Sequence, residues 1–202
     1  MWAQIVEGVT TLGNGGVVAY PTDTLYGLGA DPFNLCAIER VFVIKGRPLG
    51  MPLPLLLAEI DVLPLVSDRI PVVAWRLAER FWPGALTLVL PKAPNVPSLV
   101  TARGWTVGVR VPDHPVPRAL AEGIGGALIG TSANRSGGLA LRTASEVRGQ
   151  LGLAVDMVVD VGPQPAGRES TVLDLTGSVP KILRQGVISR EDLETYTGIS
   201  LG

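Results

Sequence analysis

The sequence predicts one α/β domain built on a mixed, twisted sheet. Short apolar runs bounded by Pro or Gly alternate with stretches of helical periodicity along the whole chain. Several of these runs follow one another with no helix between them, which a strictly doubly wound parallel sheet does not allow. The chain has 202 residues, 47% of them hydrophobic and 17% charged, enough for one sizeable core. There is no internal repeat, low-complexity run or linker composition to divide it.

The elements follow in order. Trp2, Ile5, Val9 and Leu12 fall at close to helical spacing, and Gly13-Asn14-Gly15-Gly16 is a turn. Val17 to Tyr20 reads as a buried strand stopped by Pro21. Thr22 and Thr24 flank Asp23, and Gly27 and Gly29 suggest a tight backbone path. Asp31 or Asn34 caps a helix whose buried face is Leu35, Ile38, Val41 and Phe42. That helix ends on Lys45 and Arg47 at a Gly-Pro turn. Residues 54–58 form a strand, and a short helix or loop leads to Ile70-Pro71. Residues 72–81 are an amphipathic helix, 86–90 a strand ended by Pro91, and 92–105 a Pro-rich surface loop. Residues 107–111 are a strand, 112–115 a turn, 116–122 a helix, and 127–130 a short strand running into Thr131-Ser132-Ala133-Asn134. A loop at 135–142, a helix at 143–151, a strand at 157–161 and a flexible stretch at 162–169 follow. Strands at 170–175 and 181–183 precede a last helix, opened by a capping box of Ser189 and Asp192.

Composition narrows the function classes. The net charge of −1 argues against a generalised nucleic-acid coat and leaves room for a local basic groove. Fourteen of the seventeen cations are Arg, the better residue for bidentate grip on phosphate or carboxylate, although genome base composition produces the same bias. The single cysteine, Cys36, permits no intrachain disulfide; it lies in a helical pattern and reads as core rather than nucleophile. With one histidine no His-based metal cluster forms, and His114, in a Pro-flanked turn, reads as surface structure. The N-terminus lacks a signal-peptide pattern, and the most apolar stretch, 51–66, is broken by prolines and carboxylates. The expectation is a soluble cytoplasmic protein with no membrane contact. No lysine stands in a P-loop motif, and no kinase loop set or nucleophile-elbow serine is present.

What remains is a set of groups suited to an anion above the end of a sheet. Lys45 and Arg47 either complement a helix macrodipole or grip a triphosphate, Lys as a point charge and Arg as a fork. Gly130 to Asn134 is either an ordinary Ser/Asn turn or a ligand site at a strand end. Ser170, Thr171 and Arg184 bracket the last strands. Arg110, flanked by Val109 and Val111, requires an anionic partner if buried, either structural, such as Asp113, or a ligand carboxylate.

In order along the chain, AYPTDTLYGLGAD, KGRP, FWPGALTLVLP, VGVRVPDHP, GTSANRSG, ESTVLD and ILRQG resemble the YrdC/Sua5/TsaC family of threonylcarbamoyl-AMP synthases, over about residues 16–186. Ending soon after ILRQG, the chain looks like the short, single-domain form, expected as one YrdC-like domain over 1–202. The resemblance implies a YrdC-like twisted sheet with a concave, positively charged cleft. It implies a nucleotidyltransferase that combines L-threonine, bicarbonate and ATP into threonylcarbamoyl-AMP and pyrophosphate. The product would pass to a tRNA threonylcarbamoyl transferase complex for tRNA modification, with tRNA contact through the concave face a possibility.

By motif, Thr24, Arg110, Gly130 and Ser170 would hold L-threonine. Lys45 and Arg47 would be the catalytic pair on the ATP phosphates, with Thr106, Ser132, Asn134 and Arg184 also on the nucleotide. Mg²⁺ would accompany ATP; its ligands stay unassigned, Asp23 and Glu169 being the carboxylates considered. Two positions depart from the family pattern: Met51, where many relatives carry Asn, and Leu56, where the Sua5 branch carries His. The loop at 135–142 is also less Pro-rich than usual. Phosphoryl chemistry of this kind rests on positioning and charge neutralisation more than on acid–base groups, in keeping with a chain poor in histidine. Two other readings stand beside the synthase: an RNA-binding module of the same fold, and a carbamoyl-adenylate enzyme with another acceptor.

Overall fold

The computed structural model describes residues 1–139, 141–162 and 169–202. Two mixed sheets carry the architecture. The first has the order β7-β2-β1-β8, from β1 (Val18–Pro21), β2 (Tyr26–Gly29), β7 (Thr131–Ser132) and β8 (Met157–Val158). The second has the order β10-β9-β4-β5-β3-β6, from β3 (Leu55–Leu57), β4 (Leu86–Pro91), β5 (Thr106–Arg110), β6 (Ala127–Ile129), β9 (Thr171–Asp174) and β10 (Lys181–Arg184). Both contain parallel and antiparallel pairs, as the consecutive strands require.

Strand alternation decides what each face of the larger sheet does. Leu55, Leu57, Leu86, Leu88, Leu90, Val107, Val109 and Leu173 point into the main core, with α2 (Leu35–Lys45) and α4 (Val72–Phe81) contributing Ile38, Val41, Phe42 and Leu77. The intervening residues, Thr87, Val89, Thr106, Gly108, Arg110 and Val172, line a cavity on the opposite face. One end of that face is closed by α1 (Trp2–Gly13) and α5 (Pro115–Gly123), where Ile5, Leu12, Val116 and Leu120 pack with Tyr20, Leu56 and Leu128. The rest remains open, and the cleft lies there.

The two sheets meet where β6 runs into β7 through Gly130. A Cβ on Gly130 would come within 2.3 Å of the Leu56 side chain, so the corner demands glycine. Tyr20 locks the same junction. Its hydroxyl donates to the Ile129 carbonyl at 2.8 Å, and its ring covers Gly27 and Gly29, where added Cβ atoms would meet it at 2.7 and 2.6 Å. This explains a correction: the segment whose glycines suggest a tight backbone path, and so a turn, is strand β2. Its glycines make room for an aromatic ring across the hairpin, a tertiary demand that composition alone reads as a turn.

Helix ends follow local rules. The side chain of Asn34, not Asp31, caps α2, its Oδ1 accepting from the Ala37 N–H at 3.1 Å. The Ser189–Asp192 box opens α7 (Arg190–Thr197) with both halves formed, and an unanticipated box of Thr143 and Glu146 opens α6 (Ala144–Leu151). His114 is half-buried rather than a plain surface group; its Nδ1 accepts the Val116 N–H at 3.2 Å and caps α5. The link after β3 contains α3 (Leu63–Val66). Leu35 and Cys36 are exposed, contrary to the expected buried face, because the first turn of α2 lies outside the packed interface and Ala37, Ile38, Val41, Phe42 and Ile44 carry it instead. Trp2 is likewise exposed, with Ile5, Gly8 and Leu12 the buried face of α1. Most of the stretch expected to be flexible, 163–168, lies outside the described residues, as does residue 140 of the 135–142 loop. Among the described residues no helix is long and apolar enough to cross a membrane.

Candidate active site

Two adjoining cavities occupy the open face. The smaller, about 80 Å³, lies over the β1–β2 hairpin and is lined by Tyr20, Thr22, Thr24, Leu25, Tyr26 and Gly27. The larger, about 460 Å³, lies over the sheet and adds Arg47, Pro52, Thr87, Thr106, Leu183 and Arg184. Leu56, Arg110, Gly130, Thr131, Ser132, Glu169 and Ser170 line both and form their common wall.

Arg110 is the buried cation of that wall, 6% exposed. Its Nε donates to the Gly84 carbonyl at 2.7 Å and its Nη2 to Asp23 Oδ2. Asp113, the structural partner suggested by proximity in sequence, is exposed; β5 instead aims the guanidinium at the turn after β1. Burial pulls the guanidinium pKa down and Asp23 opposes that shift. Nη1 has no hydrogen-bond partner among the described residues and is available to a ligand carboxylate. Asp23 Oδ1 is also buried and has no partner among the described residues.

The hairpin turn is held by its own hydroxyls. Thr22 Oγ1 donates to the Leu25 carbonyl at 2.6 Å and accepts the Thr24 and Leu25 N–H groups at 3.1 Å each. Thr24 Oγ1 lies 3.0 Å from Thr22 Oγ1. At the far side, Ser170 Oγ is 2.8 Å from Thr87 Oγ1 and accepts from Arg184 Nη2 at 3.1 Å. Arg184 also donates to the Ser170 carbonyl and pairs with Glu169 at 2.9 Å.

Arg47 donates to Thr131 Oγ1 at 3.3 Å and to the Pro52 carbonyl at 2.9 Å, while its Nε is buried with no partner among the described residues. Lys45, expected to hold phosphates, lines neither cavity. It is 3% exposed, and its Nζ donates to the Ser132 carbonyl at 2.5 Å and the Asn134 carbonyl at 2.9 Å. Burial, and after it Arg47, brings the ammonium down to about 8. Asn134 also lies off both cavities; its Oδ1 accepts from Ser132 Oγ at 2.5 Å and its Nδ2 donates to the Gly138 carbonyl at 2.6 Å.

Of the ten expected site residues, Thr24, Arg47, Thr106, Arg110, Gly130, Ser132, Ser170 and Arg184 therefore line one continuous cleft. Thr87, Tyr20 and the pairing of Asp23 with Arg110 were missed, while Thr131 entered only as part of the 130–134 segment. A polar Thr87 inside the apolar run 86–90 was the one available signal, since alternation puts it opposite the core. Leu56, a departure from the family pattern, forms wall in both cavities.

For Mg²⁺, the two carboxylates considered are each engaged, Asp23 by Arg110 and Glu169 by Arg184, and no group of three or more metal-ligating side chains occurs among the described residues. These residues do not make a metal site of their own.

Residues 10–186 match the sequence model of Sua5, YciO and YrdC proteins, described as "Telomere recombination". The chain belongs to the Sua5/YciO/YrdC family. Relatives in this family include a threonylcarbamoyl-AMP synthase of Bacillus subtilis, 41% identical over 96% of this chain and 57% of that protein. The corresponding synthase of Pyrococcus abyssi is 40% identical over 91% of this chain and 54% of that protein. The chain thus spans little more than half the length of these two, whereas it covers 89% of a putative threonylcarbamoyl-AMP synthase of Mycobacterium tuberculosis at 38% identity. Among solved structures, P. abyssi Sua5 complexed with L-threonine superposes with a TM-score of 0.94 at 38% identity, over 99% of this chain and 58% of that one. Escherichia coli YciO does so at 0.86 and 30% identity, over 96% and 94%. The expected YrdC-like mixed sheet is thereby borne out.

Proposed function

We propose that this chain is an L-threonylcarbamoyladenylate synthase. The carrying observation is the pair of cavities, one small and one larger, joined by a wall that contains Arg110. The same family includes a protein solved with L-threonine.

L-Threonine occupies the smaller cavity, with its carboxylate on Arg110 Nη1 and its polar groups near Thr24, Ser170 and the Gly130 backbone. ATP occupies the larger one. Arg47 and Arg184 face the phosphates, and Thr106 and Ser132 supply hydroxyls. Arg47 supplies an unpaired positive group for an anionic substrate, Arg110 being paired with Asp23 and Arg184 with Glu169 among the described residues. The threonine amine and bicarbonate form a carbamate with loss of water. A carbamate oxygen attacks the α-phosphorus, the bond to the β-phosphate oxygen breaks, and pyrophosphate leaves with that electron pair. The common wall holds the two reactants side by side, and the guanidinium groups offset charge on the transferring phosphate. Mg²⁺ enters with ATP, and the product serves a separate transferase that modifies tRNA.

Incubation with ATP, bicarbonate and a panel of amino acids, assayed for pyrophosphate, tests the reading. Release is expected with L-threonine; folded protein that gives none refutes it.

A further inference from the structure

Lys45 closes α2 with a side chain that points away from the cleft into the back of its wall. Its ammonium donates to the carbonyls of Ser132 and Asn134, two residues apart, and its own carbonyl accepts the Ser136 N–H at 2.8 Å. Between the two clamped carbonyls, Ala133 donates its N–H to the Tyr26 carbonyl at 2.8 Å. The turn is therefore gripped on one side by the end of α2 and on the other by β2. Its front carries Gly130, Thr131 and Ser132, which line both cavities. No carboxylate pairs with Lys45 among the described residues. An ammonium placed in this way fixes two peptide planes; a phosphate ligand needs its charge in the cavity.

We propose that Lys45 is a positioning residue that sets the shape of the Thr131–Asn134 turn for both substrates. The inference rests on the synthase reading, because it takes threonine and ATP as the two occupants. It differs from a phosphate-contact role in one measurable respect. A contact to ATP alone leaves threonine binding untouched when nucleotide is absent. A misplaced common wall weakens both, and a shift of about 1 Å can cost on the order of 100-fold in rate.

The test is threonine binding without nucleotide, by calorimetry, in wild type, Lys45→Met and Thr106→Val. Lys45→Met keeps the length of the side chain and removes its donors. It is expected to raise the threonine Kd about tenfold or more and to raise the ATP KM as well. Thr106→Val, on the larger cavity alone, is expected to change only the ATP value. An unchanged threonine Kd in Lys45→Met overturns the proposal. Should Lys45→Met fail to fold, proton exchange at the Lys45 Nζ of ¹⁵N-lysine-labelled wild type reads the clamp directly. Slow exchange in the free protein is expected; exchange as fast as at an exposed lysine overturns it. This second measurement uses no substrate, so a wild type that releases no pyrophosphate refutes the synthase reading and leaves the clamp separately decided.

Discussion

Asp23 and Arg110 form an ion pair between residues 87 apart in sequence, with side chains 16% and 8% exposed. The pair joins the turn after β1 to β5 and leaves Arg110 Nη1 and Asp23 Oδ1 without partners on the protein among the described residues. Removing one member of such a pair strands the other charge in low dielectric.

Asp23→Asn is accordingly expected to destabilise the fold by about 1–3 kcal/mol and to raise the threonine KM more than the ATP KM. Denaturant titration and steady-state kinetics measure both. Equal loss for the two substrates would contradict the assignment of Arg110 to the amino-acid side.

Gly130→Ala places a methyl group against Leu56 at a corner where both cavities meet. The cost is expected to be about 1–3 kcal/mol, the range for overpacking. Adding Leu56→Ala removes the clashing atoms, so the double variant is expected to recover part of the loss from Gly130→Ala. Additive destabilisation in a thermal unfolding series would show that the contact is not what demands glycine.

Arg47→Met removes a guanidinium that lines only the larger cavity and whose buried Nε has no partner among the described residues, and it also removes the donor to Thr131 Oγ1, which lines both cavities. ATP affinity is expected to fall about tenfold or more, with a smaller loss in threonine binding, loss of a charge-assisted contact being worth about 1.5–3 kcal/mol. Calorimetry with a non-hydrolysable ATP analogue decides it.

Lys45 supplies a pH signature. Its ammonium titrates near 8 in the folded protein against 10.5 in the unfolded chain. Between those values the unfolded state binds more protons, so stability from this group rises with pH across that window. The penalty is fully present below about 8 and relieved as pH approaches 10.5. The difference in unfolding free energy between wild type and Lys45→Met is therefore expected to grow in favour of wild type from pH 8 to pH 10. A flat difference across that range would place the titration elsewhere.

Local chemistry alone determined a good part of this protein. Helical spacing placed α2 and α4, Ser189 with Asp192 opened α7, and the apolar neighbours Val109 and Val111 marked Arg110 as a cation that needs an anion if buried. The ordered motifs named the family and eight residues that line the cleft. Tertiary structure decided what depends on residues far apart in the chain. It turned Gly27 and Gly29 from a turn into a strand, because Tyr20 needs their empty Cβ positions. It gave Arg110 to Asp23 rather than Asp113, because β5 pairs with β4 and β3 and aims the side chain at the β1 turn. It also took Lys45 out of the cavity and set it behind the wall, because the end of α2 faces the carbonyls of a turn some 87 residues on. Periodicity and propensity act over one or two turns of chain; which side of a wall a cation faces depends on elements brought together only by folding.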